Sequence, residues 1–305
     1  MRTARPEILK TRRGDIRLPA YIPVTTFGKK YPLDDLVRPY LPRLATAVMV
    51  SFHYAKQATS WPNLPTMIDS GGFASLFANA RVFAEGDLGC IEVTPAEGAP
   101  EKIHPKDVLE FQEQHADIAF TLDFPIPPLM PLREAKRRQA LTIKNARWAL
   151  ANRRRTDMLL FAVIQGWDEE SFVRCAKVLA TLPFDGFAIG GLVPRIRDEA
   201  LILGITEGVR SAVDDKPLHV FGVGKPALVQ RLFKLGIDSV DSSSYVKLAA
   251  DGRLWGSSKR LSHPSPTGRL HLALCNLATA SNAPLPLSMA SMLFRTSFTA
   301  ASEVR

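Results

Sequence analysis

Two aspartates stand at the ends of apolar runs, Asp69 in I-D-S-G-G-F and Asp241 in G-I-D-S-V-D-S-S-S-Y. A carboxylate that follows a buried strand and precedes small residues sits at a rim, where a substrate can approach and burial can tune its proton affinity. Two such groups suggest covalent chemistry at a sugar carbon. One attacks C1′ of a glycoside while the other moves protons, which is the logic of retaining glycosyl transfer. Taken singly, each Asp is equally well explained as the cap of a following helix.

The elements that must position these groups recur along the chain. Short apolar, β-branched or aromatic runs each end on a small or polar residue: T-A-V-M-V-S-F, D-I-A-F-T-L-D, D-M-L-L-F-A-V-I-Q-G, F-D-G-F-A-I-G-G-L, P-L-H-V-F-G-V-G and G-I-D-S-V-D. Each is expected to be a strand buried on both faces. Helical patterns lie between them, over Pro105 to His115, Glu169 to Leu182, Arg197 to Val213 and Pro226 to Leu235. The alternation implies a parallel sheet with right-handed crossovers, and the repeat count suits a single-domain (β/α)8 TIM barrel over residues 1–282. No glycine-rich dinucleotide fingerprint follows the first strand. Gly86 to Pro100 is expected to be a loop or hairpin excursion, and Ala283 to Arg305 a poorly ordered tail.

In such a barrel the chemistry is built at the C-terminal ends of the strands. Asp69, Asp123, Gln165, the Gly190-Gly191 pair, Gly222 and Asp241 all fall there. Their convergence on one face is a stronger signal than any one of them.

Among 305 residues the charged fraction is ordinary and nearly half are hydrophobic, the composition of a globular chain and not a disordered one. No apolar run approaches the length of a membrane helix, and the N-terminus lacks the apolar centre of a signal peptide, so a cytoplasmic location is expected. The cysteines, Cys90, Cys175 and Cys275, are too scattered for a disulfide framework or a paired-cysteine metal knuckle, and free thiols are expected. The net charge of +9 favours a polyanionic partner. Between Leu132 and Arg155 the chain carries Arg133, Lys136, Arg137, Arg138, Lys144, Arg147, Arg153, Arg154 and Arg155 against a single acid, Glu134. Apolar Ala140, Leu141, Ile143, Ala146, Trp148 and Leu150 can supply the inward face of a helix, leaving the cations outward to follow a phosphate backbone. A second cationic cluster, Lys247, Arg253, Lys259, Arg260 and Arg269, follows Asp241.

The runs D-S-G-G-F, L-D-F-P-I-P-P, V-I-Q-G, D-G-F-A-I-G-G-L, F-G-V-G-K-P and G-I-D-S-V-D-S-S-S-Y-V-K-L-A-A-D-G-R resemble, in the same order, those of tRNA-guanine transglycosylases. The resemblance extends from about Leu18 to Asn276. It implies a (β/α)8 barrel that removes guanine from a polynucleotide and inserts a 7-deazaguanine base through a covalent sugar–enzyme intermediate. Asp241 then resembles the nucleophile and Asp69 the general acid/base. Asp123 resembles the carboxylate that accepts from the guanine-type N1–H and 2-amino group, a pattern that rejects adenine. Gln165 and the backbone at Gly191 and Leu192 resemble the contacts to the base carbonyl. Phe73 and Phe221 would sandwich the heterocycle, although both types also suit ordinary core packing, and position 221 commonly carries methionine in the tRNA enzymes. Arg137, Arg138, Lys144, Lys247 and Arg253 are the expected nucleic-acid contacts, and a homodimer is usual in the resembled family.

The chain departs from the family in two places. The C-x-C-x-x-C cluster with a distant histidine that binds structural zinc is missing after Trp255, and Cys275 takes the histidine's place in the H-N-L element. One cysteine cannot make a tetrahedral zinc site, so no metal and no other cofactor are expected. In place of the basic P-T-R motif of queuine-type enzymes stands S-S-S-Y-V-K-L-A-A-D-G-R, as in archaeosine-forming enzymes. A compact barrel without the zinc module or an appended RNA-binding domain is similar to paralogues that insert deazapurines into DNA. DNA is therefore the favoured polymer, with tRNA the close alternative. Two further readings compete: a non-catalytic nucleic-acid-binding paralogue, opposed by the retention of Asp69, Asp241, Asp123 and Gln165, and a barrel enzyme for phosphorylated sugars using Lys225, opposed by the basic helix.

Overall fold

The computed structural model describes residues 5–26, 32–58, 60–257 and 260–283. Eight strands run parallel: β1 (Ala20–Pro23), β2 (Val48–Ser51), β3 (Thr66–Asp69), β4 (Ile118–Phe120), β5 (Leu159–Ile164), β6 (Gly186–Ile189), β7 (Leu218–Val220) and β8 (Ser239–Ser242). They pair in the order β1-β8-β7-β6-β5-β4-β3-β2. A parallel bridge between Val24 and Met49, with the Thr25 N–H donating to the Met49 carbonyl at 2.9 Å, spans the remaining gap. The architecture is the expected (β/α)8 barrel.

The strand residues divide by the period-two alternation of a pleated chain. Ile22, Met49, Met67, Ile118, Phe120, Phe161, Val163 and Ala188 fill the barrel interior. Val48, Val50, Ile68, Ala119, Leu160, Ala162, Phe187, Val220 and Val240 instead join the shell between barrel and helices. Both faces are buried, which is why most strand positions are apolar. On β7 and β8 the interior positions carry His219, Ser239 and Asp241 in place of hydrocarbon.

Among the described residues, seven longer helices pack outside: α1 (Pro105–His115), α2 (Leu132–Asn152), α3 (Glu169–Ala180), α4 (Glu199–Ala212), α5 (Pro226–Lys234), α6 (Ser244–Ala250) and α7 (Pro266–Ala280). Their starts follow from capping chemistry. The Asp168 carboxylate accepts from the Ser171 N–H at the head of α3 in a reciprocal capping box, and Asp198 accepts from the Leu201 N–H at the head of α4. Between β3 and α1 an antiparallel sheet of Ala80–Glu85, Leu88–Val93 and Glu101–Ile103 covers one side of the barrel mouth. Its first hairpin turns at Gly86, whose φ of +58° favours glycine, so the expected excursion contains a full strand. Of the expected tail, Ala283 to Arg305, the first residue donates its N–H to the Ala278 carbonyl at 2.9 Å, and the rest lies outside the described residues.

Candidate active site

Asp69 closes β3 beside Ser51 of β2. Its Oδ1 accepts from the Gly71 N–H at 2.8 Å and the Phe52 N–H at 3.3 Å. Burial pushes this carboxyl up to about 6; the donors at Gly71, Ser51 and Phe52 oppose the rise and the negative charge of Asp241 adds to it. The two carboxylates are therefore within electrostatic reach across the barrel mouth. Asp241, 6% exposed, points inward from β8. Its Oδ1 accepts from the Gly222 N–H at 3.0 Å and lies 3.0 Å from His219 Nε2. Two carboxylates at a shared opening, one of them raised by burial, can divide proton transfer and nucleophilic attack between them.

Asp123 sits beyond β4, where the Ser70 hydroxyl donates to Oδ1 at 2.9 Å and Gln165 Nε2 to Oδ2 at 2.6 Å. Burial pushes it up to about 6 as well, against these two bonds. Gln165 is fully buried, and no protein donor among the described residues reaches its Oε1. A Cβ at Gly190 would fall inside the envelope of Gln165 Nε2 and one at Gly191 inside that of Oε1, so this amide needs both glycines beside it. Leu192 is fully buried and contributes only its backbone, with its carbonyl accepting from the Arg195 N–H at 2.8 Å.

The segment bearing Asp123 is fastened from α2. Asn145 Nδ2 donates to the Leu122 carbonyl at 3.1 Å, the Phe124 N–H donates to Thr142 Oγ1 at 3.1 Å, and Arg138 Nη1 donates to the Pro125 carbonyl at 2.9 Å. Residues 138, 142 and 145 share one helix face. Arg195, also buried, joins three loops by donating to the carbonyls of Ile126 at 2.8 Å, Gly191 at 2.7 Å and Trp167 at 3.4 Å. His219, Arg195, Thr142 and Asn145 escape a reading of strand ends because their function is visible only across elements. The one local signal was a histidine inside the apolar run P-L-H-V-F.

Phe73 lies in the turn Gly72–Leu76 after β3 and is 53% exposed, which an isolated core residue would not be. Its edge faces Phe77 at 6.3 Å. Phe221 is partly buried at the end of β7, set edge-on to Phe120 and His219, each at 4.8 Å. One of the two rings is thus free to stack and the other is seated in the barrel's inner packing.

The basic helix needs correction at Arg138. This residue is only 9% exposed and turns inward to Pro125 and Ser75, so its guanidinium holds the Asp123 segment and is not open to phosphate. Arg137 pairs with Glu134 at 2.7 Å and Lys144 with Asp87 at 2.7 Å, both at the surface. Arg153 and Arg155 are engaged with Asp185, Asp157 and Glu113. Acids distant in sequence thus meet cations that seemed unopposed. Arg133, Lys136 and Arg147 remain exposed along the α2 exterior, and Lys247 and Arg253 are exposed just after the Asp241 strand. Lys259 lies outside the described residues.

The residues do not fit the structural zinc that the family pattern implies. Cys275 is a buried free thiol on α7 and belongs to no group of three or more metal-ligating side chains among the described residues. Its neighbour Asn276, fully buried, holds this region instead: Nδ2 donates to the carbonyls of Tyr245 and Arg253, each at 3.0 Å, and Oδ1 accepts from the Trp255 N–H at 2.6 Å. Glu85, Cys90 and His104 do converge in the antiparallel sheet. Glu85 is, however, paired with Lys102, burial pushes the Cys90 thiol up to about 11, and His104 Nδ1 accepts the helix-capping bond from the Lys106 N–H at 3.1 Å. An imidazole that accepts through Nδ1 carries its hydrogen on Nε2, which opposes metal ligation there.

The chain is a parallel (β/α)8 barrel with three carboxylates at the C-terminal ends of its strands, the face on which barrels of this class carry their sites. The chain belongs to the queuine tRNA-ribosyltransferase family, whose pattern matches residues 1–282. It is 30% identical over 257 residues to the tRNA-guanine(15) transglycosylase of Methanothermobacter thermautotrophicus, covering 82% of this chain and 37% of that protein. It is 28% identical over 281 residues to the queuine tRNA-ribosyltransferase of Caulobacter vibrioides, covering 83% of this chain and 72% of the relative. The chain therefore spans little more than a third of the length of the archaeal relative.

Proposed function

We propose that this chain exchanges guanine in a polynucleotide for a 7-deazaguanine base through a covalent aspartyl–sugar intermediate. The observation that carries the reading is the trio Asp69, Asp123 and Asp241 at one rim, where none of the three has a lysine or arginine partner among the described residues. Asp241 attacks C1′ as the C1′–N9 bond breaks, and Asp69 gives its proton to the departing base. Burial, which holds the Asp69 carboxyl at about 6, keeps a fraction protonated near neutrality for that step. The anion left behind takes the proton of the incoming base in the reverse sense. Asp123 and Gln165 read the base edge, and Phe73 stacks on its face once the nucleotide is extruded. Arg133, Lys136, Arg147, Lys247 and Arg253 supply exposed charge for the phosphates.

Two polymers are supported by different observations. The names of the relatives favour tRNA. The S-S-S-Y segment, similar to that of archaeosine-forming enzymes, points the same way, whereas the missing cysteine cluster favours DNA, and DNA is the polymer proposed. Incubation with radiolabelled guanine and, separately, tRNA, duplex DNA and single-stranded DNA decides between them. Label in DNA supports the reading, label in tRNA alone reassigns the polymer, and label in none with folded protein refutes base exchange.

A further inference from the structure

His219 has no place in the chemistry just described, although it touches the nucleophile. It is 0% exposed on the interior face of β7, ringed by Phe120 at 5.3 Å and Phe221 at 4.8 Å. Its Nε2 lies 3.0 Å from Asp241 Oδ1 and its Nδ1 2.8 Å from Ser239 Oγ. An ionised carboxylate can only accept, so the hydrogen of this pair resides on Nε2 whichever way the Ser239 hydroxyl points. Serine, histidine and aspartate here do not make a hydrolase triad. Ser239 is 2% exposed and lies beneath the imidazole, away from the mouth.

Both hydrogen bonds to the nucleophile, from Gly222 N–H and His219 Nε2–H, fall on Oδ1. No donor among the described residues reaches Oδ2, and that oxygen is not among the sealed, unpartnered atoms of the interior. We propose that His219 is a positioning residue that holds Oδ1 of Asp241, leaves Oδ2 as the attacking oxygen, and eases departure of the carboxylate in the second half of the exchange. This inference rests on the base-exchange reading above.

In the first half, an Oδ2 lone pair forms the bond to C1′, the C1′–N9 pair leaves with the base, and N9 takes the proton from Asp69. Oδ1 becomes the carbonyl oxygen of an ester. In the second half the incoming base loses its proton to Asp69, its nitrogen attacks C1′, and the Oδ2–C1′ pair returns to Asp241. Negative charge reappears on the carboxylate in that step, where two fixed N–H donors in a water-poor site stabilise it. Losing one donor therefore slows resolution of the adduct more than its formation.

The test compares wild type, His219→Phe, His219→Gln and Ser239→Ala on the labelled polymer, following formation and decay of the denaturation-resistant adduct. His219→Phe is expected to slow adduct decay by about 100-fold, with the KM for free base within about threefold of wild type. The adduct should accumulate. His219→Gln restores a side-chain N–H and should recover to within about tenfold of wild type, and Ser239→Ala, which only loosens the imidazole, should fall between. Nitrogen-15 NMR of the imidazole in the free protein should show hydrogen on Nε2. A folded His219→Phe protein with wild-type decay, or an Nε2 without hydrogen, overturns the inference alone. A folded wild-type protein that forms no adduct on any polymer overturns the base-exchange reading and this inference with it.

Discussion

Aspartates wholly or partly withdrawn from solvent occur at both ends of this barrel, and the two sets are partnered differently. At the N-terminal ends of the strands, Asp117 accepts from the Thr66 N–H at 2.8 Å and pairs with Arg13 at 3.0 Å. Asp238 accepts from the Leu218 N–H at 2.8 Å and pairs with Arg210 at 3.1 Å. Asp185 accepts from the Leu160 N–H at 2.9 Å and pairs with Arg153. Each fastens a neighbouring strand and has its charge met by a guanidinium. At the opposite end, Asp69, Asp123 and Asp241 accept hydrogen bonds from backbone N–H groups, Ser70, Gln165 and His219, with no lysine or arginine partner among the described residues. The same side chain is a staple where charge is neutralised and, on the base-exchange reading proposed above, a reagent where it is not.

The sharpest way to break this contrast is Asp241→Asn. It should reduce base exchange and adduct formation by more than about 10³-fold, because the amide keeps the shape and loses the nucleophilic charge. Its midpoint of thermal unfolding should stay close to wild type. The reciprocal change, Asp238→Ala, strands Arg210 in a largely buried position and should cost about 3 kcal/mol in urea denaturation. Turnover per folded molecule should be unaffected; an activity loss without a stability loss would erase the distinction between the ends.

Titration sharpens it further. Because burial raises Asp69 to about 6, single-turnover adduct formation, which needs its proton, should fall about tenfold per pH unit above that value, and Asp69→Asn should abolish the dependence. Binding of free base, for which the proposed reading uses the Asp123 anion as acceptor, should weaken as pH drops below about 6. For stability the sign is the reverse of the usual carboxylate. A raised folded value means that stability is fully present below the unperturbed 3.8 and is lost as pH rises through about 6. Asp69→Asn with Asp123→Asn should flatten that decline. The smallest effect belongs to Lys247→Ala and Arg253→Ala, each expected to lower the salt dependence of polynucleotide binding by about one counterion while leaving base affinity unchanged.

Much of this arrangement is legible in the chain because barrel strands buried on both faces announce themselves as apolar runs, and each run hands its last polar residue to the rim. Pro105–His115 coincides with its helix, and Glu169, Glu199 and Pro226 begin helices within two residues of the expected starts. The strand Ala20–Pro23 is harder to see, being short and bounded by Pro19 and Pro23, which read as turn punctuation. Arg138 misleads for another reason: helical periodicity places it at the edge of the inward stripe, and only the fold supplies Pro125 and Ser75 to receive its guanidinium. Asp87 and Asp185, which meet Lys144 and Arg153, likewise lie outside the basic segment in sequence. Long-range pairing of this kind has no local signature.

The ladder of Arg138, Thr142 and Asn145 sets the aim of Asp123 by the phase of a helix rather than by the stiffness of a loop. Three neighbouring peptide groups, at Leu122, Phe124 and Pro125, are gripped from one rigid rod. Inserting one residue into α2 ahead of Arg138 leaves that grip's spacing whole but rotates it by about 100° relative to the incoming chain. A deletion within Ala140–Leu141 shears the Arg138 grip away from those of Thr142 and Asn145. On the base-exchange reading, discrimination between purines is geared to a helix whose opposite side faces solvent, and substitutions confined to that outer side leave it untouched.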